Sequence, residues 1–106
     1  MTNFLILLIA LSLGWAGCEG KALDSSDRNS LEQESPRTLK KIDTGEQLSV
    51  YDIKKMYKAG LSDDAIIGQI NDTRSVFYLS SADIVDLKKT GVSQKVIQYM
   101  IETGNQ

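Results

Sequence analysis

The sequence predicts an all-α protein: a small four-helix module of two tandem helical hairpins, at about 48–70 and 79–103, preceded by a signal segment and a disordered linker. Three observations carry this. One stretch of chain recurs after 31 positions (48 to 79). Each copy carries helix-start signals, a glycine stop and a second start. The N-terminal region divides into an apolar run, a lone cysteine and a polar stretch. The resulting division is 1–17 signal peptide, 18–46 attachment cysteine and flexible polar linker, and 47–106 helical domain.

The first element is the run from Phe4 to Leu13, nearly all apolar. At about 10 residues it is too short to cross a bilayer, which takes roughly 20. A run of that length at an N-terminus, followed by small residues, suits the apolar region of a secretory signal. Met1-Thr2-Asn3 supplies no Lys or Arg, so the α-amino group is the only positive charge before the run.

Trp15-Ala16-Gly17-Cys18 follows, and Cys18 is the only cysteine in the chain. These residues resemble the lipobox of bacterial lipoproteins, in which small residues precede an invariant cysteine. Ala16, Gly17 and Cys18 match, whereas Trp15 stands where the family prefers an aliphatic residue. The resemblance implies a diacylglyceryl (palmitate-type) thioether on Cys18, cleavage before it, and anchoring to the lipid bilayer by several acyl chains. Several chains hold a protein stably where one holds it marginally. Glu19 after the cysteine, in place of an Asp retention signal, favours the outer membrane in an organism with two membranes. The alternative is an ordinary signal cleaved after Ala16, which would release a soluble secreted protein.

Residues 19–46 are rich in Ser, Glu, Asp, Lys and Arg and carry no aromatic residue. Leu23, Leu31, Leu39 and Ile42 are too sparse for an amphipathic stripe, and Pro36 interrupts any continuous helix. With five basic and six acidic residues from Glu19 to Asp43, the stretch is not a polybasic membrane clamp. The expectation is a flexible coil of about 28 residues with ends roughly 30 Å apart.

The repeated unit reads LSVYDIKKMYKAGLSDDAIIGQI over 48–70 and LSSADIVDLKKTGVSQKVIQYMI over 79–101. Ser49-x-x-Asp52 and Ser80-x-x-Asp83 have capping-box spacing: the hydroxyl accepts from a backbone N–H and the acid reaches back to the cap. Leu48 and Leu79 stand where a hydrophobic staple would sit. Ile53, Met56 and Tyr57, or Ile84 and Leu87, form the apolar face of the first helix. Gly60 and Gly91 provide left-handed stops. Ser62 and Ser93 cap a second helix bearing Ala65, Ile66 and Ile70, or Val96, Ile97, Met100 and Ile101. Gly104 ends the last helix, and Val76 and Phe77 in the connector fill the gap between the units. The pattern is similar to a short helical repeat found in bacterial envelope and multidomain proteins, a likeness that implies fold but no activity.

Composition narrows the function. The chain has no histidine, which removes the commonest metal ligand and general base. One cysteine cannot build a thiolate metal site, so no metal or other cofactor is expected. A net charge of −2 lacks the basic footprint of a nucleic-acid binder, and Asp63-Asp64 open the helix that would have to enter a groove. A helix-hairpin nucleic-acid module is therefore the lesser alternative. Ser49, Ser62, Ser80 and Ser93 have capping roles, and Asp52 and Asp83 suit capping boxes better than a catalytic pair, so the chain is read as a non-enzyme. The expected function is a membrane-anchored envelope lipoprotein presenting a protein-interaction module to an unidentified envelope protein. Cys18 is the lipid-attachment residue, and Phe77, Tyr78 and Tyr99 are the candidate partner contacts.

Overall fold

A computed structural model of the chain describes residues 23–105. The signal segment and Cys18 lie outside the described residues. The described residues are all-helical, with six helices. They are α1 (Ser25–Glu34), α2 (Pro36–Thr44), α3 (Val50–Lys58), α4 (Asp63–Asp72), α5 (Ser81–Thr90) and α6 (Gln94–Thr103). The chain forms three consecutive hairpins, α1–α2, α3–α4 and α5–α6. α1 packs on α3 and α3 on α5, while α4 packs on α6.

The two repeated hairpins form as their sequence dictates. Ser49 and Ser80 each accept from the N–H three residues on, and Asp52 and Asp83 return the bond to the cap backbone, so both capping boxes are complete. Gly60 (φ +91°) and Gly91 (φ +105°) stop the first helix of each unit. There the Leu61 and Val92 N–H groups reach back to the Met56 and Leu87 carbonyls at 3.2 and 3.1 Å. These are Schellman closures, which need a left-handed residue that glycine supplies at least cost. α4 closes in the same way on Arg74, a non-glycine residue at φ +52°, through the Ser75 N–H to the Ile70 carbonyl at 3.0 Å. Gly104 is needed for a different reason: a Cβ there would collide with the Phe77 carbonyl oxygen.

The polar stretch departs from expectation. Residues 25–44 are not a flexible linker but a third helical hairpin. Asp24 caps α1 by accepting from the Asp27 N–H at 2.8 Å. Pro36 does not merely interrupt; it takes the first turn of α2, where a missing N–H costs nothing, behind the Ser35 cap. Gly45, left-handed at φ +74°, closes α2. Leu31 and Leu39 are buried, and Leu23 and Ile42 pack against the same core. Four apolar residues over twenty positions make no stripe alone. They suffice because α3 offers a formed apolar face for them to cover, so tertiary burial does what local propensity does not. Arg28 and Asp43, bonded through both nitrogens at 2.9 and 3.0 Å, tie α1 to α2.

One hydrophobic cluster runs through all three hairpins, from Leu31 and Leu39 through Ile53, Met56, Ile66 and Ile70 to Leu87, Val96, Ile97 and Met100. In the connector, Phe77 fills the gap between the units as expected, but Val76 does not; it is 40% exposed. Alternation explains this, since a single extended segment turns neighbouring side chains to opposite sides. The buried partner on the other side of Val76 is Ser75, whose hydroxyl accepts from the Leu48 N–H at 2.7 Å.

Candidate docking surface

Asp52 and Asp83 hold equivalent positions but meet different surroundings. Asp52 is only 1% exposed. Its carboxylate accepts from Thr38 Oγ1 at 2.6 Å, Lys41 Nζ at 2.6 Å, the Ser49 N–H at 2.8 Å and Ser49 Oγ at 3.0 Å. Thr38 is itself held by Ser35, whose hydroxyl donates to it at 2.9 Å. Burial alone would raise the Asp52 pKa, but the bonds from Lys41, Thr38 and Ser49 outweigh it and leave it below the ordinary carboxylate value. The α2 helix is thus pinned to the first turn of α3 by a satisfied buried acid.

Asp83 makes its capping bond to the Ser80 N–H at 3.0 Å, and among the described residues no cation reaches it. Among the described residues no helix packs on α5 as α2 packs on α3. α3 packs against α1, α2, α4 and α5, whereas α5 packs chiefly against α3 and α6. Between the connector, the start of α5 and the end of α6 lies a groove of about 390 Å³ lined by Phe77, Tyr78, Leu79, Ser80, Ile84, Ile101, Gly104 and Asn105. In unit one the residues equivalent to Leu79, Ile84 and Ile101 are Leu48, Ile53 and Ile70, exposed by 4%, 0% and 1%. In unit two all three are half-buried. A second depression on α5 is lined by Ser81, Ala82, Val85, Asp86 and Lys89.

The three aromatic contact candidates do not share one site. Phe77 is 5% exposed and belongs to the core, with its backbone N–H held by Thr103 Oγ1 at 2.9 Å. It lines the groove and is not a free contact. Tyr78 is 82% exposed at the groove's edge. Tyr99, half-buried, opens on a separate depression with Asn71, Arg74 and Thr103. Leu79, Ile84 and Ile101 were not among the sequence candidates, because their pattern is that of core residues; only the burial of their unit-one counterparts marks them as uncovered.

Lys54 and Asp86, at 2.6 Å, and Asp64 and Lys95, at 2.9 Å, join the two units at their surface. The described residues contain no cluster of His, Cys, Asp and Glu arranged to hold a metal, and no helix long and apolar enough to cross a membrane. No family model, no curated protein and no solved structure matches the chain.

Proposed function

We propose that the chain is a lipid-anchored bacterial envelope protein that displays a helical docking module and carries no catalytic activity of its own. Two kinds of observation support the reading. The anchor rests on sequence: an apolar run, Ala16-Gly17 and the lone Cys18. The docking role rests on the unequal cover of two equivalent surfaces, of which the one beside α5 is open and edged by the exposed Tyr78.

The two halves fit together physically. Only six residue steps separate Cys18 from the α1 cap at Asp24 (24 − 18 = 6). Fully extended, that leash reaches at most about 20 Å. With Cys18 acylated, the module therefore sits within about its own diameter of the lipid surface, not at the end of a long tether. Confinement at a surface raises the effective concentration of any partner anchored beside it.

Metabolic fatty-acid labelling of the wild type and Cys18→Ser tests the anchor. Label in the wild type and none in the variant is expected; an unlabelled wild type that appears in the soluble exported fraction would establish cleavage after Ala16 instead. A photo-cross-linking residue at position 78, compared with one at position 32 on exposed α1, tests the docking role in intact cells. A discrete adduct from position 78 alone is expected. Equal adducts from both positions, or none from position 78, would remove the docking role.

A further inference from the structure

We infer that the outward face of α5 joins the chain to a second copy of itself, α5 against α5 and antiparallel. This face is lined by other residues than the groove, so the inference goes beyond the docking reading above. The repeat shows how each hairpin meets its neighbours. In unit one Lys55 reaches back to Glu34 of α1 at 3.3 Å, and Lys54 reaches forward to Asp86 of α5 at 2.6 Å. In unit two Asp86 holds the place of Lys55 and meets Lys54, again in the hairpin before it. Val85 holds the place of Lys54, the residue that faces the hairpin ahead. Among the described residues α5 packs chiefly against α3 and α6, and Val85 is 51% exposed.

The exchange of lysine for valine runs against what an exposed end requires, since stacked repeats finish on a polar outer face. Val85 shares its depression with Ser81, Ala82, Asp86 and Lys89. Positions 82, 85 and 89 fall on one side of a helix, and the small residues at 81 and 82 let a second helix come close. The charges select a second copy as that helix. Asp83 stands in the first turn of α5 and Lys88 and Lys89 in its last, and neither lysine has an ion pair among the described residues. Antiparallel pairing sets the basic last turn of each copy beside the acidic first turn of the other and opposes the two helix dipoles. Stacking of α5 on α1 of the next copy lacks an apolar complement, because the one apolar residue of α1, Leu31, is fully buried. The contact is therefore self-complementary and closes at a dimer. α5 has 10 residues, a length of about 15 Å, so the interface is small for a specific contact. Anchoring of both copies to one lipid surface raises their effective concentration and offsets that.

The test is photo-cross-linking of the full chain in intact cells, with a diazirine-bearing residue at position 82. A product of twice the chain mass is expected, with adducts mapping to residues 85–90 of the second copy. Val85→Lys, which brings in the residue type that unit one carries at this place, should cut the yield at least about fivefold. Val85→Thr, nearly the same in shape, should also lower it and guards against loss of fold. Tyr78→Ala, at the edge of the groove, should leave the yield unchanged. No dimer product, adducts on residues 25–34 or 78–83 of a second copy, adducts on a different protein, or a yield indifferent to both Val85 variants would each overturn the inference. The dimer product can vanish while position 78 still cross-links, and the reverse, so the two readings fail separately.

Discussion

Units one and two share their caps, glycine stops and core spacing, yet one is closed and the other open. In unit one the first helix is covered by α1 and α2, Ile53 is fully buried and Asp52 is locked by Thr38 and Lys41. In unit two Ile84 is half-buried and Asp83 has only its capping role. The repeat motif therefore fixes the hairpin but not the fate of its outer flank. That flank becomes core or surface according to whether a neighbour is supplied, as in stacked-repeat proteins, where each unit is stabilised by its neighbours.

The largest test of this contrast is removal of the α1–α2 hairpin. A chain lacking residues 23–46 loses the cover of Ile53 and the partners of Asp52. The expected cost is about 5 kcal/mol or more, comparable with the whole stability of a domain this size. Thermal melting followed by circular dichroism should lose its cooperative transition; a sharp melt near the full-length temperature would show that the hairpin is dispensable. Next, equivalent truncations should be unequal. Ile53→Ala should cost about 3–4 kcal/mol, within the range for a fully buried side chain, and Ile84→Ala about 1–2 kcal/mol. Urea titrations read both, and equal losses would erase the distinction between the units.

The capping acids give the third test. Asp52→Asn should destabilise by about 2 kcal/mol, through weakened bonds to a buried charged acceptor, and Asp83→Asn by about 0.5–1 kcal/mol, the scale of a cap. The pH dependence has a definite sign. A carboxyl whose pKa is lowered in the fold contributes stability that is complete above the unfolded value, near 3.9 for Asp, and is lost as pH falls through the lower folded value. Wild-type stability should thus fall below about pH 4, and Asp52→Asn should flatten that slope. Asp43, held low by its bonds to Arg28, adds a slope of the same sign that persists in the variant. The smallest effects lie at the edges. Arg74→Gly relieves a left-handed side chain and should stabilise by about 1 kcal/mol. Tyr78→Ala, at an exposed position, should change stability by less than about 0.5 kcal/mol.

How much of this was legible in the sequence depends on how local each interaction is. The capping boxes at Ser49 and Ser80 and the stops at Gly60 and Gly91 lie within one or two helical turns and formed as read, as did the apolar faces except at Tyr57, which is exposed. The α1–α2 hairpin was hidden because its stabilising contacts are made with α3, beyond the window in which periodicity is judged. Its signals were punctuation: Asp24 with Asp27, Ser35 before Pro36, and Gly45 after Lys41. The Asp52 node was illegible for the same reason, with Thr38 and Lys41 lying 14 and 11 residues away in sequence. The groove left no sequence trace, since its floor of Leu79, Ile84 and Ile101 is written in core residues.

The contrast between the two units depends most directly on the α1–α2 hairpin folding with the repeats. Amide hydrogen exchange on the full chain tests it. The Leu31 and Leu39 amides should exchange only through the same global opening that releases Ile53, Met56 and Ile97. Exchange of those two amides at random-coil rates, with the repeats still protected, would make residues 25–44 a tether after all and leave both units open.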